Sequence, residues 1–267
     1  MKTLYESLLD DFEKLEASTN PINEIKQFLK DNYLYANKLK ISKEPNKDGY
    51  YEVDCKKCPS VCVKNGNETI TSLTNGLFEF INVKSFNCIR CNNLTSLKGA
   101  PKEIEGNFNC AGCSKLVTLE GTPKEIGGNF ACVYCNKLVT LEGVPKEIEG
   151  NFNCTNCINL TSLKGAPKKV NSFNCSNCKN LTSLDGAPKE IGSDFNCTNC
   201  NKLTSLEGAP EKVGGNFACS GCNKLTSLKG APKKVGGDFE CFCCPGSFMI
   251  QDVKDVCDVK GDICVKL

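Results

Sequence analysis

Residues 130–151 read Phe130-Ala131-Cys132-Val133-Tyr134-Cys135-Asn136-Lys137-Leu138-Val139-Thr140-Leu141-Glu142-Gly143-Val144-Pro145-Lys146-Glu147-Ile148-Glu149-Gly150-Asn151. Phe130-Ala131-Cys132 alternates large and small residues at period two and is entered through Gly127-Gly128-Asn129, the signature of a short strand after a tight turn. After Cys135 come Leu138 and Leu141, then Gly143 and Pro145, too few residues and too many breakers for a regular helix. The return leg is therefore expected to be irregular or 3₁₀. The inward positions are Phe130, Cys132, Cys135, Leu138, Leu141 and Ile148. One such unit cannot close a core around six side chains, so each must be covered by copies above and below.

The copies exist. Phe86, Phe108, Phe130, Phe152, Phe173, Phe195, Phe217 and Phe239 each open a Phe-x-Cys-x-x-Cys unit, at six intervals of 22 residues and one of 21. A period in the twenties means a stacked solenoid whose strands form a parallel sheet. The copies resemble the leucine-rich repeat, with the family pattern appearing as Ile126-x-x-x-Phe130-x-Cys132-x-x-Cys135-x-x-Leu138. They depart from it by one extra residue between the second Cys and Leu, and by Phe and Cys where leucines usually stand. The whole chain resembles short repeat proteins encoded by low-GC bacteria and their phages.

Four segments follow from the pattern. Residues 1–50 form an N-terminal helical cap and hairpin, 51–85 a degenerate first rung, 86–244 the repeat solenoid and 245–267 a small C-terminal cap. Leu4, Leu8, Phe12 and Leu15 mark an amphipathic helix, and Asn20 with Pro21 starts a second one running to about Asn32. Leu39-Lys40-Ile41 and Tyr51-Glu52-Val53 read as a hairpin. Val53-x-Cys55-x-x-Cys58 copies the strand motif and Ile70-Thr71-Ser72-Leu73 the return leg. Near the end, Phe248 to Cys257 suggests a short helix and Ile263-Cys264-Val265 a last strand.

Composition excludes much chemistry. With no His in the chain there is no imidazole base, no His-ligated metal and no imidazole pH switch. No acid, base and nucleophile converge in any motif, so the chain is not expected to be an enzyme. The net charge of +2 and the interleaving of Lys with Glu argue against nucleic acid as a partner. Only Arg90 among the basic residues is arginine, which leaves little capacity for bidentate phosphate recognition. Neither a secretory signal nor a membrane span is legible, so a cytoplasmic location without membrane contact is expected.

Sixteen of the 22 cysteines fall into two columns of eight, Cys88 to Cys241 and Cys91 to Cys244. In a reducing compartment they are expected to be free: the first column a small apolar filler, the second a weak S–H donor to turn carbonyls. The competing reading takes Cys-x-x-Cys as half of a Zn or Fe–S site, or as a redox pair, with Cys55, Cys58, Cys62 and Cys241, Cys243, Cys244 as the favoured clusters. No metal or cofactor is assigned on this basis.

Side chains between the buried positions face outward on the concave surface that the leucine-rich-repeat resemblance implies. Most of that surface is small and uncharged, with Asn87, Asn109, Asn153, Asn174 and Asn196 in its central stripe. Interfaces are anchored by aromatic and Arg residues, so the expected protein-binding positions are Ile89, Arg90, Val133, Tyr134 and Phe242, beside Asn153, Asn174 and Asn196. The expected function is a non-catalytic scaffold, monomeric, that binds another protein through its concave or edge surface. The alternative is a thiol-based metal-binding or redox protein.

Overall fold

The computed structural model describes residues 20–34, 36–57, 60–64 and 69–265. The helix expected before Asn20, and Cys58, lie outside these residues.

The repeats stack as a parallel β-solenoid. Each contributes a two-residue strand that starts at its Phe, and these strands pair in register, Phe86 with Phe108, Phe108 with Phe130 and so on to Phe217 with Phe239. With a strand added at each end the sheet has ten strands, from Val61–Cys62 to Ile263–Cys264. Phe130, Cys132, Cys135, Leu138, Leu141 and Ile148 are all buried, as are their counterparts in the other rungs through Leu228; in the last rung Phe239 and Cys241 are buried but Cys244 only partly. The Phe rings form a continuous ladder with centroids 5.1 to 5.8 Å apart, close enough for each ring to pack on the next.

The return leg is irregular through its Leu and Pro stretch but carries a second set of short parallel pairings. Glu103–Ile104 pairs with Glu125–Ile126, and a four-stranded sheet runs from Glu190–Ile191 to Asp258–Val259. Between them only an isolated Glu147–Lys169 bridge survives. The interruption sits at the short interval, where Asn171 and Ser172 replace the three residues Glu149, Gly150 and Asn151. The main sheet keeps its register across this point, so the lost residue is absorbed on the return side.

Beside each strand runs a ladder that the turn composition conceals. The side-chain oxygen of Asn107 accepts from the Asn129 N–H at 2.8 Å, that of Asn129 from the Asn151 N–H, and that of Asp194 from the Asn216 N–H. One side-chain acceptor per rung thus satisfies a backbone donor of the next, except at the short interval, where Asn151 Oδ1 accepts from the Asn171 side-chain amide.

The N-terminal end is closed. Helix α1, Pro21–Asn32, is capped by Asn20, whose Oδ1 accepts from the Ile22 N–H at 2.9 Å. It delivers Tyr33 onto the sheet edge as an antiparallel bridge to Val63. The Tyr33 ring is buried against Phe80 and Phe86 and its hydroxyl donates to the Leu73 carbonyl at 2.6 Å. The expected hairpin is present as β1, Lys40–Ile41, antiparallel to β2, Tyr51–Asp54. The rung beneath Phe86, however, is Val61–Cys62 and not the Val53–Cys58 stretch that copies the motif. Strand β2 instead pairs with Phe78–Ile81, on the cap side. The motif copy misleads because an alternating Val-x-Cys is satisfied by any half-buried strand. At the other end helix α2, Ile250–Lys254, precedes the last strand.

Candidate functional site

The cysteine columns are the most conspicuous chemistry, and their geometry assigns them to the core. From Cys113 on, each second-column thiol donates to the carbonyl of the first-column cysteine one rung earlier: Cys113 to Cys88 at 3.1 Å, Cys135 to Cys110 at 3.2 Å, Cys200 to Cys175 at 3.3 Å. Within the first column Cys154 and Cys175 lie 3.5 and 3.4 Å from the carbonyls of Asn174 and Asn196 in the next rung. Burial pushes the Cys110, Cys154 and Cys175 thiols well above the usual range, and that of Cys219 to about 12. These thiols are held protonated and out of reach, the opposite of what a reactive cysteine needs.

The expected clusters differ. Among the described residues no three Cys, Asp or Glu side chains converge as metal ligands would. Cys241 and Cys244 approach to 3.7 Å between sulfurs, while Cys243 and Cys264 are exposed.

The central stripe is occupied by its own turns. Asn153 Oδ1 accepts from the Thr155 N–H, Asn174 Oδ1 from Ser176 and Asn196 Oδ1 from Thr198, all at 2.9 Å. Each amide stabilises the bend that follows its strand, and Thr155 Oγ1 adds a bond across rungs to Asn174. Of the expected binding residues, these three asparagines therefore have a structural duty.

The turn itself singles out two others. Every rung places its fourth residue after Phe in the left-handed region. Five rungs use Gly112, Asn156, Asn177, Asn199 or Gly221 there, residues that adopt it at little cost. The exceptions are Arg90 at φ +56°, Tyr134 at +59° and Cys243 at +55°. A bulky side chain in this region is strained by about 1–2 kcal/mol, and none of the three is buried, so core packing does not account for them. Arg90 and Tyr134 are two rungs apart, about 10 Å along the stack at about 4.8 Å per rung. Between them sits Gly112, against whose Cα face the Arg90 Cγ packs. The Arg90 stem thus occupies the space that a side chain at Gly112 would take.

Ile89 and Val133, the residues before Arg90 and Tyr134, are half-buried; Phe242 lies on the eighth rung, at the far end of the sheet. Three further exposed apolar residues were not anticipated from the sequence. Val117 is exposed on the rung between those of Arg90 and Tyr134, Val139 on that of Tyr134 and Ile158 on the next. Their signal was present: Val117 and Val139 stand where the other copies have Thr95, Thr161, Thr182, Thr204 and Thr226.

On the return-leg side lies an open groove of about 1080 Å³ lined by Glu103, Glu105, Glu125, Glu147 and Glu149 with Lys124 and Lys146 among them. It holds neither a thiol nor a hydroxyl nucleophile paired with a base. Among the described residues no helix is long and apolar enough to cross a membrane. No family model, no curated protein and no solved structure matches the chain.

Proposed function

We propose that the chain is a non-catalytic scaffold of the leucine-rich-repeat kind, of bacterial or phage origin, that binds another protein in the cytoplasm. Its binding surface is the edge centred on Arg90 and Tyr134. The observation that carries this reading is the strained backbone at those two residues, in a column where most rungs use Gly or Asn. Strain retained at exposed side chains points to function, and an arginine beside an aromatic is the composition of an interface anchor. Free thiols engaged with carbonyls fit a reducing compartment.

The test replaces Arg90→Asn and Tyr134→Asn together. Asn tolerates the left-handed turn, so folding should be preserved or improved while retention of host proteins falls by about tenfold, the loss expected when interface anchors are removed. Unchanged retention by a correctly folded double variant would refute the assignment of the site.

A further inference from the structure

The charges of this chain are interleaved along the sequence but segregated in space. In the first seven rungs the half from Phe to the second Leu, residues 86–97, 108–119, 130–141, 152–163, 173–184, 195–206 and 217–228, contains no Asp or Glu; the eighth carries Glu240 on its strand. It does contain Arg90, Lys115, Lys137, Lys179, Lys202 and Lys224, all exposed. These six lie along one edge of the solenoid, most at the positions between the second Cys and the following Leu. None of them makes an ion pair among the described residues.

The return leg is the opposite case. Lys102 pairs with Glu79, Lys164 with Glu142, Lys189 and Lys233 with Glu211, and Lys229 with Glu207. Eight lysines on that side pair with a carboxylate among the described residues, whereas the six cations of the edge pair with none. Six like charges over seven rungs about 4.8 Å apart, with a gap at the rung of Phe152, repel one another, and the simplest partner that relieves this is an anionic chain laid along the stack.

We infer that the edge from Arg90 to Lys224 binds an acidic, extended polypeptide segment. This rests on the protein-binding reading above and gives the partner its chemistry. Three observations favour a polypeptide over nucleic acid. Tyr134 is the aromatic that the edge offers between Arg90 and Lys224, which is not a base-stacking platform. All but one of the cations are lysines, point charges without the planar fork that suits phosphate. And Val117, Val139 and Ile158, exposed between the cations, suit a ligand that mixes acidic with apolar side chains.

The experiment is fluorescence anisotropy with a labelled Glu-rich peptide carrying interspersed Leu, about a dozen residues long, which at about 3.3 Å per residue spans the edge. Three proteins are compared at about 50 and about 200 mM salt. They are the unaltered chain, an edge variant (K115Q, K137Q, K202Q and K224Q) and a return-leg variant of equal charge (K102Q, K146Q, K189Q and K233Q). The expected result is saturable binding that weakens with salt, falls about tenfold or more in the edge variant and is nearly unchanged in the return-leg variant. No saturable binding at the lower salt, or equal losses in both variants, would overturn the inference. If host-protein retention still depended on Arg90 and Tyr134 in that case, the protein-binding reading would stand without the acidic partner. A single-stranded oligonucleotide bound more tightly than the peptide, with the same dependence on the edge lysines, would overturn both.

Discussion

The Cys157 Sγ lies 3.0 Å from the carbonyl oxygen of Cys132, in the rung before its own. The same relation recurs down the stack, so the repeated Cys-x-x-Cys behaves as a hydrogen-bonding device between rungs. The two cysteines of a pair consequently have different tolerances. A serine at 157 keeps a donor near that carbonyl, and Cys157→Ser should cost no more than about 1 kcal/mol. At Cys154, whose nearest acceptor is 3.5 Å away, the shorter Ser side chain would leave a buried hydroxyl poorly bonded, at a cost of about 2 kcal/mol. Denaturant unfolding of both variants in reductant measures the difference; equal costs would mean that the bond to Cys132 carries no weight.

Burial of the thiols also fixes how stability responds to alkali. The ionised form of a thiol is the charged one, so burial raises the folded-state pKa above the usual value near 9, to about 12 for Cys219 and about 11 for Cys257. Below about pH 9 both folded and unfolded chains hold these protons and the stabilisation is complete. Above it the unfolded chain releases protons that the folded chain retains, so each such thiol removes up to about 1.4 kcal/mol per pH unit. The melting temperature should therefore fall steeply between pH 9 and 11. At neutral pH a thiol reagent should modify Cys243 and Cys264 quickly, Cys62 and Cys244 slowly, and the buried columns only on unfolding. A flat alkaline profile would show that the columns are open to solvent.

The close approach of successive rungs can be tested at Gly165. It has φ +88°, and a Cβ there would fall within 2.6 Å of Glu142 and Leu141 backbone atoms in the rung before. Gly165→Ala should cost about 2 kcal/mol or more, combining the left-handed penalty with displaced backbone. Gly49 has a similar φ, +83°, but open space around it, and Gly49→Ala should show only the first of these effects. Melting temperatures of the two variants separate them, and comparable losses would locate the cost in backbone conformation alone.

Period and inward positions were legible because each rung repeats the same Phe, Cys and Leu spacing, and such repetition has one packed solution. Helix α1 was legible from Asn20 and Pro21, whose local chemistry needs no tertiary context. The first rung was not, because Val53-x-Cys55 and Val61-x-Val63 both alternate and only the stacking partner decides between them. The spatial sorting of charge was equally hidden: it depends on which half of a rung each Lys occupies, and neighbouring Glu residues in sequence lie across the solenoid in space. At the candidate site, Arg90 and Tyr134 stood out by residue type. What made them meaningful was the left-handed turn shared by their column, visible only as recurring Asn and Gly. The asparagines Asn153, Asn174 and Asn196 looked available for a partner because a polar stripe does not reveal that each amide already caps its own bend.

The in-register pairing of each Phe strand with the next has a mechanical meaning. Almost all cohesion is between adjacent rungs, so a chain drawn out by its ends would not resist as a whole. It would come apart as a zip does, one rung at a time, each releasing about 7 nm of slack at about 3.5 Å per residue. Such a molecule can absorb tension by shedding terminal rungs while the remaining ones keep their shape and their row of cations.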